Sequence, residues 1–311
     1  MTCRNWFITG TSSGFGRVLT EKLLARGDCV AATVRKRAAL EDLEAQYGDR
    51  LWVAVLDMTD TQGVRQVVDS AFAKMGRIDV IVNNAGYGLF GAAEEVTGEQ
   101  IRHQIDTNLI GSIEVIRACL PHLRAQGGGH VLQVSSEGGQ MTYPGFSLYH
   151  ATKWGIEGFV EATAKEVAPF RISFTLVEPG PTGTSFGAGL VESLPMTVYE
   201  DTPVGEIRHA WASGKFKVTG DANKMADAMI TAADSSAPPL RLTLGSIAYA
   251  SIHKALNDRL VALEASKTIS LSTDLDRWSE AAYAAITAYA RGATRRVLVS
   301  GDEERHSKEE L

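Results

Sequence analysis

Tyr149 and Lys153 stand four residues apart inside the stretch VLQVSSEGGQMTYPGFSLYHATKWG, residues 131–155. On a helix that spacing places both side chains on one face, one turn apart. A free phenol titrates near ~10 and a neighbouring cation favours its anion, so the pair predicts a phenol tuned towards working pH. Such a phenol gives or takes a proton at a carbonyl or alcohol oxygen. Ser136 lies just past the apolar run 131–134, where its hydroxyl can bond the same oxygen. A Tyr-x-x-x-Lys pair alone is a weak motif on any half-exposed helix; the elements around it give it weight.

Those elements begin with a short apolar strand at 6–9 and the turn Gly10-Thr11-Ser12-Ser13-Gly14-Phe15-Gly16. Val18, Leu19, Leu23 and Leu24 then recur at helical spacing as far as Arg26, and Gly27 ends the helix. Strand, Gly-rich turn and helix in that order let backbone approach a phosphate at a positive helix end, and Ser12 and Ser13 add hydroxyl donors. The second strand, 29–34, ends not in a diol-binding carboxylate but in Val34 followed by Arg35, Lys36 and Arg37. That cluster, Arg35 first, favours a 2′-phosphorylated dinucleotide.

A third strand at 51–56 leads to Asp57 and Met58; Asp57 is placed to accept from an adenine amine or to cap the helix from Thr61. A fourth strand, 80–82, runs into Asn83, Asn84, Ala85 and Gly86, suited to hold strand ends and line a cofactor floor. A helical stretch is expected from about 104 to 126. Asn108 is locally unfavourable inside it, so its amide should bond a backbone carbonyl or water. Strand five is 131–134. The helix bearing Tyr149 and Lys153 should run to about 167, with Pro169 closing it. Strand six, 172–177, ends at Pro179 and Gly180, with Thr182 and Thr184 beyond. Residues 185–219 read as a mobile, partly helical lid, 220–233 as a helix, 240–244 as a last strand and 246–264 as a helix, with a frayed charged tail from Arg295. Strands alternating with helices predict an α/β fold: a doubly wound, Rossmann-like parallel sheet with helices on both faces, a single domain over 1–245 with a helical extension and tail at 246–311. Ligands of such sheets bind outside the C-terminal strand ends, where every motif above falls.

Composition narrows the class. The 311 residues are 44% hydrophobic and 22% charged, as expected of a globular protein with a sizeable core. A formal charge of −6 argues against a nucleic-acid partner. No run resembles a signal peptide or a membrane span. Cys3, Cys29 and Cys119 are scattered and read as reduced thiols of a cytoplasmic protein, and neither they nor the seven histidines show metal-ligand spacing. His150 reads as structural or substrate-lining.

Taken together, the motifs resemble the short-chain dehydrogenase/reductase family in its shorter branch, over about 5–184 and more weakly to 244. The resemblance implies that Tyr149 is the general acid/base and that Ser136, thirteen residues earlier, polarises the substrate oxygen. It implies that Lys153 binds the nicotinamide ribose and lowers the Tyr149 pKa, while Asn108 holds a water linking Lys153 to solvent. It also implies a pyrophosphate on the turn from Gly10 to Gly16, adenine at Asp57 and Met58, a cofactor lining from Asn84, Ala85 and Gly86, and a carboxamide met by the segment with Pro179, Gly180, Thr182 and Thr184. Phe15 departs from the family's usual Ile and Thr182 from a branched apolar residue. The tail beyond 244 is longer than in many members and puts a tetramer in doubt. A homodimer through the helices from Gln104 and Leu148, or a higher homo-oligomer, is expected.

The expected function is NADP(H)-dependent hydride transfer between nicotinamide and a secondary alcohol or ketone, with a fairly hydrophobic small-molecule substrate under the apolar lid. Its rivals are NAD-dependent alcohol oxidation and a non-catalytic NADP-binding sensor or scaffold.

Overall fold

Short runs rich in Val, Ile, Leu and Phe become the strands of a parallel sheet in the computed structural model, which describes residues 3–274. The order of elements is β1 (Asn5–Ile8), α1 (Gly14–Arg26), β2 (Cys29–Val34), α2 (Glu41–Tyr47), β3 (Leu51–Val55), α3 (Thr61–Met75), β4 (Val80–Asn83), β5 (Leu89–Phe90), α4 (Gly98–Ile105) and α5 (Gly111–Ala125). It continues with β6 (Gly129–Val134), α6 (Ser147–Val167), β7 (Ile172–Pro179), β8 (Val191–Glu192), α7 (Pro203–Ala212), α8 (Ala222–Asp234) and β9 (Arg241–Leu244). Seven of these strands pair in the order β3-β2-β1-β4-β6-β7-β9, all parallel.

Alternation along each strand feeds two cores. Trp6 and Ile8 point to the side of α1 and α8, against Leu19, Leu23 and Met229. Phe7 points to the other side, with Ile81 and Val131, against Val68, Val115 and Ile156 of α3, α5 and α6. Strands covered on both faces must be apolar throughout, which is why they read as continuous hydrophobic runs. The order reverses between β1 and β4, and a crevice opens there at the C-terminal strand ends.

The elements differ from expectation in three places. The helix expected from about 104 starts at Gly98, where Thr97 and Gln100 form a capping box. It is interrupted by a π-helical segment, Asp106–Ile110, before α5. The proposed lid is partly sheet: β8 pairs with β5, and Glu95 accepts from Met196 N (2.8 Å) and pairs with Arg208 of α7 (2.7 Å), tying the segment to the body. The short α2 had no counterpart in the sequence reading.

Chain contacts divide the protein into a unit spanning Met1–Ala255 and another spanning Leu256–Leu311. The described part of the second is helical, comprising the end of α9 (Ser246–Ala265) and α10 (Lys267–Ser272). The charged tail from Arg295 lies outside the described residues.

His130 of β6 is buried, with Nε2 3.0 Å from Thr175 Oγ1. Burial, then the charge of Arg4, lowers its pKa to about 4. The unfolded chain therefore binds the extra proton between the ordinary value of 6.5 and about 4, so stability is complete above that window and falls as pH drops through it. Acid unfolding followed by circular dichroism should show a loss on the order of 3 kcal/mol that His130→Asn removes. An unchanged acid limb in the variant would contradict this.

Candidate active site

The C-terminal ends of β1, β4, β6 and β7 open onto one cavity of about 580 Å³. At its floor the Gly-rich turn is built by close approach. Gly10 has φ of 72°, a left-handed conformation costly for residues with a side chain, and a Cβ on it would lie 2.8 Å from Ala85 Cα. A Cβ on Gly16 would collide with the Gly10 carbonyl and sit 2.7 Å from Asn84 Nδ2. Asn84 Nδ2 donates to the carbonyls of Thr9 (2.9 Å) and Gly10 (3.0 Å), and Thr9 Oγ1 accepts from the N–H groups of Asn84 and Ala85. These bonds lock the end of β4 to the end of β1.

Ser13 begins α1 without making a side-chain capping bond, and the first turn carries no acidic residue. The open N–H groups and the positive helix end thus face the cavity as an anion site. The residues present fit a dinucleotide pyrophosphate.

Tyr149 and Lys153 lie on α6, both buried and both on the cavity wall, with Lys153 Nζ 5.6 Å from the centre of the phenol ring. Lys153 Nζ donates to the Val134 carbonyl at 3.0 Å. Burial lowers the Lys153 pKa to about 8, opposed by the charge of Glu157 one turn on. The sequence predicts a depressed phenol pKa, but here burial pushes Tyr149 up to about 12; the Ser136 hydrogen bond pulls it down and the Glu137 charge pushes it further up. The difference is desolvation of the phenolate, the largest of the causes acting on it.

Two adjacent serines separate cleanly. Ser135 is buried and donates to Glu157 at 2.5 Å, whereas Ser136 is half-exposed on the cavity wall, accepting from Gly138 N at 3.1 Å. Beneath them, Glu157 also holds Gln140 and Arg241, and Arg241 reaches Glu161 and Glu178.

Gly10, Ser13, Gly14, Phe15, Asn84 and Gly86 line the cavity on one side, and Pro179, Gly180, Thr182 and Thr184 on another. Thr182 Oγ1 donates to the Gly180 carbonyl at 2.7 Å, and Thr184 Oγ1 accepts from Phe186 N. Arg35 is exposed and lines the cavity, while Arg37 is committed to Glu44 and the Val53 carbonyl.

Ser12, Gly16, Asp57, Met58, Ala85 and Asn108 do not line it. Ser12 is exposed on the turn, and Met58 packs in the core. Asp57 accepts from Thr59 N (2.9 Å) and Oγ1 (2.8 Å), which holds its pKa low. It does not cap α3; Asp60 does, accepting from Gly63 N at 2.9 Å. Asn108, in the π-helical segment, donates to the Tyr87 carbonyl at 2.8 Å and accepts from Tyr87 N at 3.1 Å, the backbone bonding expected of a helical Asn. His150 is satisfied by the Gly138 carbonyl (2.8 Å) and Tyr143 N (2.9 Å), and burial keeps it neutral.

Sequence reasoning passed over Glu137, Tyr143 and Phe146, which line the cavity next to Tyr149. The available signal was an acid directly after Ser136, inside a glycine-rich crossing.

Fold and cavity together are those of a nicotinamide-dependent oxidoreductase, and the chain belongs to the short chain dehydrogenase family, whose model matches residues 4–194. Oxidoreductase BOA17 of Botryotinia fuckeliana is similar, 36% identical over 86% of this chain and 98% of its own length. A short-chain dehydrogenase from Streptomyces avermitilis has a similar structure, with TM-score 0.81 and 38% identity over 88% of this chain and 99% of that one. A serine dehydrogenase complexed with NADP+ matches with TM-score 0.66 and 26% identity over 77% of this chain and 94% of that one.

Proposed function

We propose that the protein is an NADP(H)-dependent oxidoreductase acting on a secondary alcohol or ketone. The observation that carries this reading is the meeting of Tyr149, Ser136 and Lys153 on one wall of the cavity that the Gly-rich turn opens. The cofactor supplies or accepts the hydride. Gly10, Ser13, Gly14, Phe15 and Gly16 shape the turn for the pyrophosphate, with Ser12 at its rim. Asn84 and Gly86 would form the floor with Ala85 behind them, Asp57 would mark the adenine end with Met58 packed in the core beneath it, and Pro179, Gly180, Thr182 and Thr184 would meet the carboxamide. Ser136 donates to the substrate oxygen and Tyr149 transfers its proton there. Lys153 would hold the nicotinamide ribose and tune the phenol, and Asn108 would hold a water that links Lys153 to solvent.

Tyr149 protonated at neutral pH supports its role as the proton donor when a carbonyl is reduced. The reading is tested by NADPH-driven reduction of a ketone and aldehyde panel; NADPH binding with no turnover of any member would favour the sensor alternative. NAD-dependent alcohol oxidation is the other alternative.

Arg35 supports the phosphorylated cofactor: of the three basic residues after β2 it is the one on the cavity wall. Arg35→Asp should weaken NADPH roughly 10- to 100-fold in a fluorescence titration, the worth of a hydrogen bond to a charged group, and leave NADH little changed. Unaltered NADPH selectivity would remove Arg35 from the reading. Free Cys3, Cys29 and Cys119 support a cytoplasmic protein. No described helix is long and apolar enough to cross a membrane. Half-exposed Ile110 and Trp154, next to α5 and on α6, support a homodimer through those helices.

A further inference from the structure

Glu137 is the one acidic side chain among the described residues that line the cavity, and it is only 3% exposed. It follows Ser136 directly, so its backbone lies about 3.8 Å from that of the proposed oxygen-polarising residue. The same cavity carries the apolar side chains of Phe146, Leu190, Trp211 and Phe216 as well as the polar ones of Ser136, Tyr149 and Lys153. A carboxylate in such surroundings is costly unless it meets a cation or several donors. Among the described residues Glu137 has no ion pair; Oε1 accepts from the Tyr143 hydroxyl at 2.9 Å and Oε2 from the Ser251 hydroxyl at 2.7 Å. A carboxylate accepts about four hydrogen bonds, so two acceptor positions remain. The carboxyl and the Tyr149 phenol line the same cavity, and burial pushes the Glu137 pKa above its ordinary value.

We propose that Glu137 reads the substrate: it accepts from a hydroxyl or ammonium on a carbon next to the reacting one, so the preferred substrate is an α-hydroxy or α-amino ketone, or the corresponding alcohol, with an apolar body. This rests on the oxidoreductase reading above. The two hydroxyls occupy one acceptor position on each carboxylate oxygen and leave the other to the ligand. Tyr149 and Ser136 hold the carbonyl oxygen while Glu137 holds the neighbouring donor, which sets the orientation of the reacting carbon between them. The apolar side chains cover the remainder of the chain.

The experiment measures kcat/KM of the full chain with NADPH on α-hydroxy, α-amino, α-methoxy and unsubstituted alkyl ketones of one chain length. Donor-bearing ketones should be favoured over the α-methoxy analogue roughly 10- to 100-fold, the discrimination expected when a buried charged acceptor is left unpaired. Glu137→Gln should collapse that ranking, the α-amino ketone losing most relative to the unsubstituted ketone measured on the same variant. The ranking of the unaltered protein needs no substitution, so the proposal stands or falls even if the variant does not fold. A better response to the ammonium than to the hydroxyl supports a charge contact, and the reverse supports a neutral one. Turnover of all four ketones at similar rates, or a ranking unmoved in folded Glu137→Gln, overturns the role of Glu137 alone. NADPH binding without turnover of any ketone overturns the oxidoreductase reading, and this proposal with it.

Discussion

Tyr149→Phe should lower kcat for ketone reduction by roughly 10²- to 10⁴-fold, the usual contribution of a positioned general acid. The substitution removes one oxygen and little else. The ring packs edge-on to Phe146 at 6.2 Å and against Phe186 at 5.7 Å, contacts that a Phe keeps. NADPH affinity and thermal stability should stay near the parent values, so the loss falls on kcat. The parent protein should also show a directional pH signature. Tyr149 is protonated well past neutrality, so reduction should be nearly flat from acid to neutral pH. Alcohol oxidation needs the phenolate and should climb with pH. Steady-state rates in both directions check this; a variant with parental kcat would place the proton donor elsewhere.

Gly16→Ala should have the second largest effect, on cofactor binding and folding together. The added methyl meets the Gly10 carbonyl and Asn84 Nδ2, which sits 2.7 Å away. Backbone and a doubly bonded amide cannot swing aside as a flexible side chain would. Overpacking of this kind costs about 1–3 kcal/mol, equivalent to a melting temperature lower by several degrees. Relief requires widening the turn, which moves the open end of α1, so NADPH should bind at least tenfold more weakly, about 1.4 kcal/mol. Calorimetry of the free and NADPH-mixed protein separates the two effects. A variant with parental melting and binding would show that the turn has slack.

The strands and the order of motifs were legible in the sequence because doubly covered strands must be apolar and because turns that approach phosphate need glycine. Gly10 and Gly16 announce both at once. Asn108 was read as a helical Asn seeking a backbone partner, and it bonds Tyr87. What escaped depends on distant chain segments. The π-helical segment holds Asn108 against the backbone of Tyr87, and the join of β5 to β8 brings together residues about a hundred positions apart. The sign of the Tyr149 shift was misread because a motif shows the neighbouring cation and hides the burial that competes with it. Glu137 stood beside Ser136 in plain view, but its meaning depends on Ser251, far along the chain.

The ion cluster under Ser135 has a consequence for the order in which the chain is made. Glu157 and Glu178 are already present when α6 and β7 emerge during synthesis, and Arg241, which joins them, comes some sixty residues after Glu178 on the sheet's last strand. Until that strand docks, Glu157 on the helix bearing Tyr149 and Glu178 on β7 lack their shared cation, an arrangement that resists burial. The reactive wall is therefore finished last, from the C-terminal side, and a nascent chain halted before Arg241 would hold every proposed catalytic side chain without the floor that sets them.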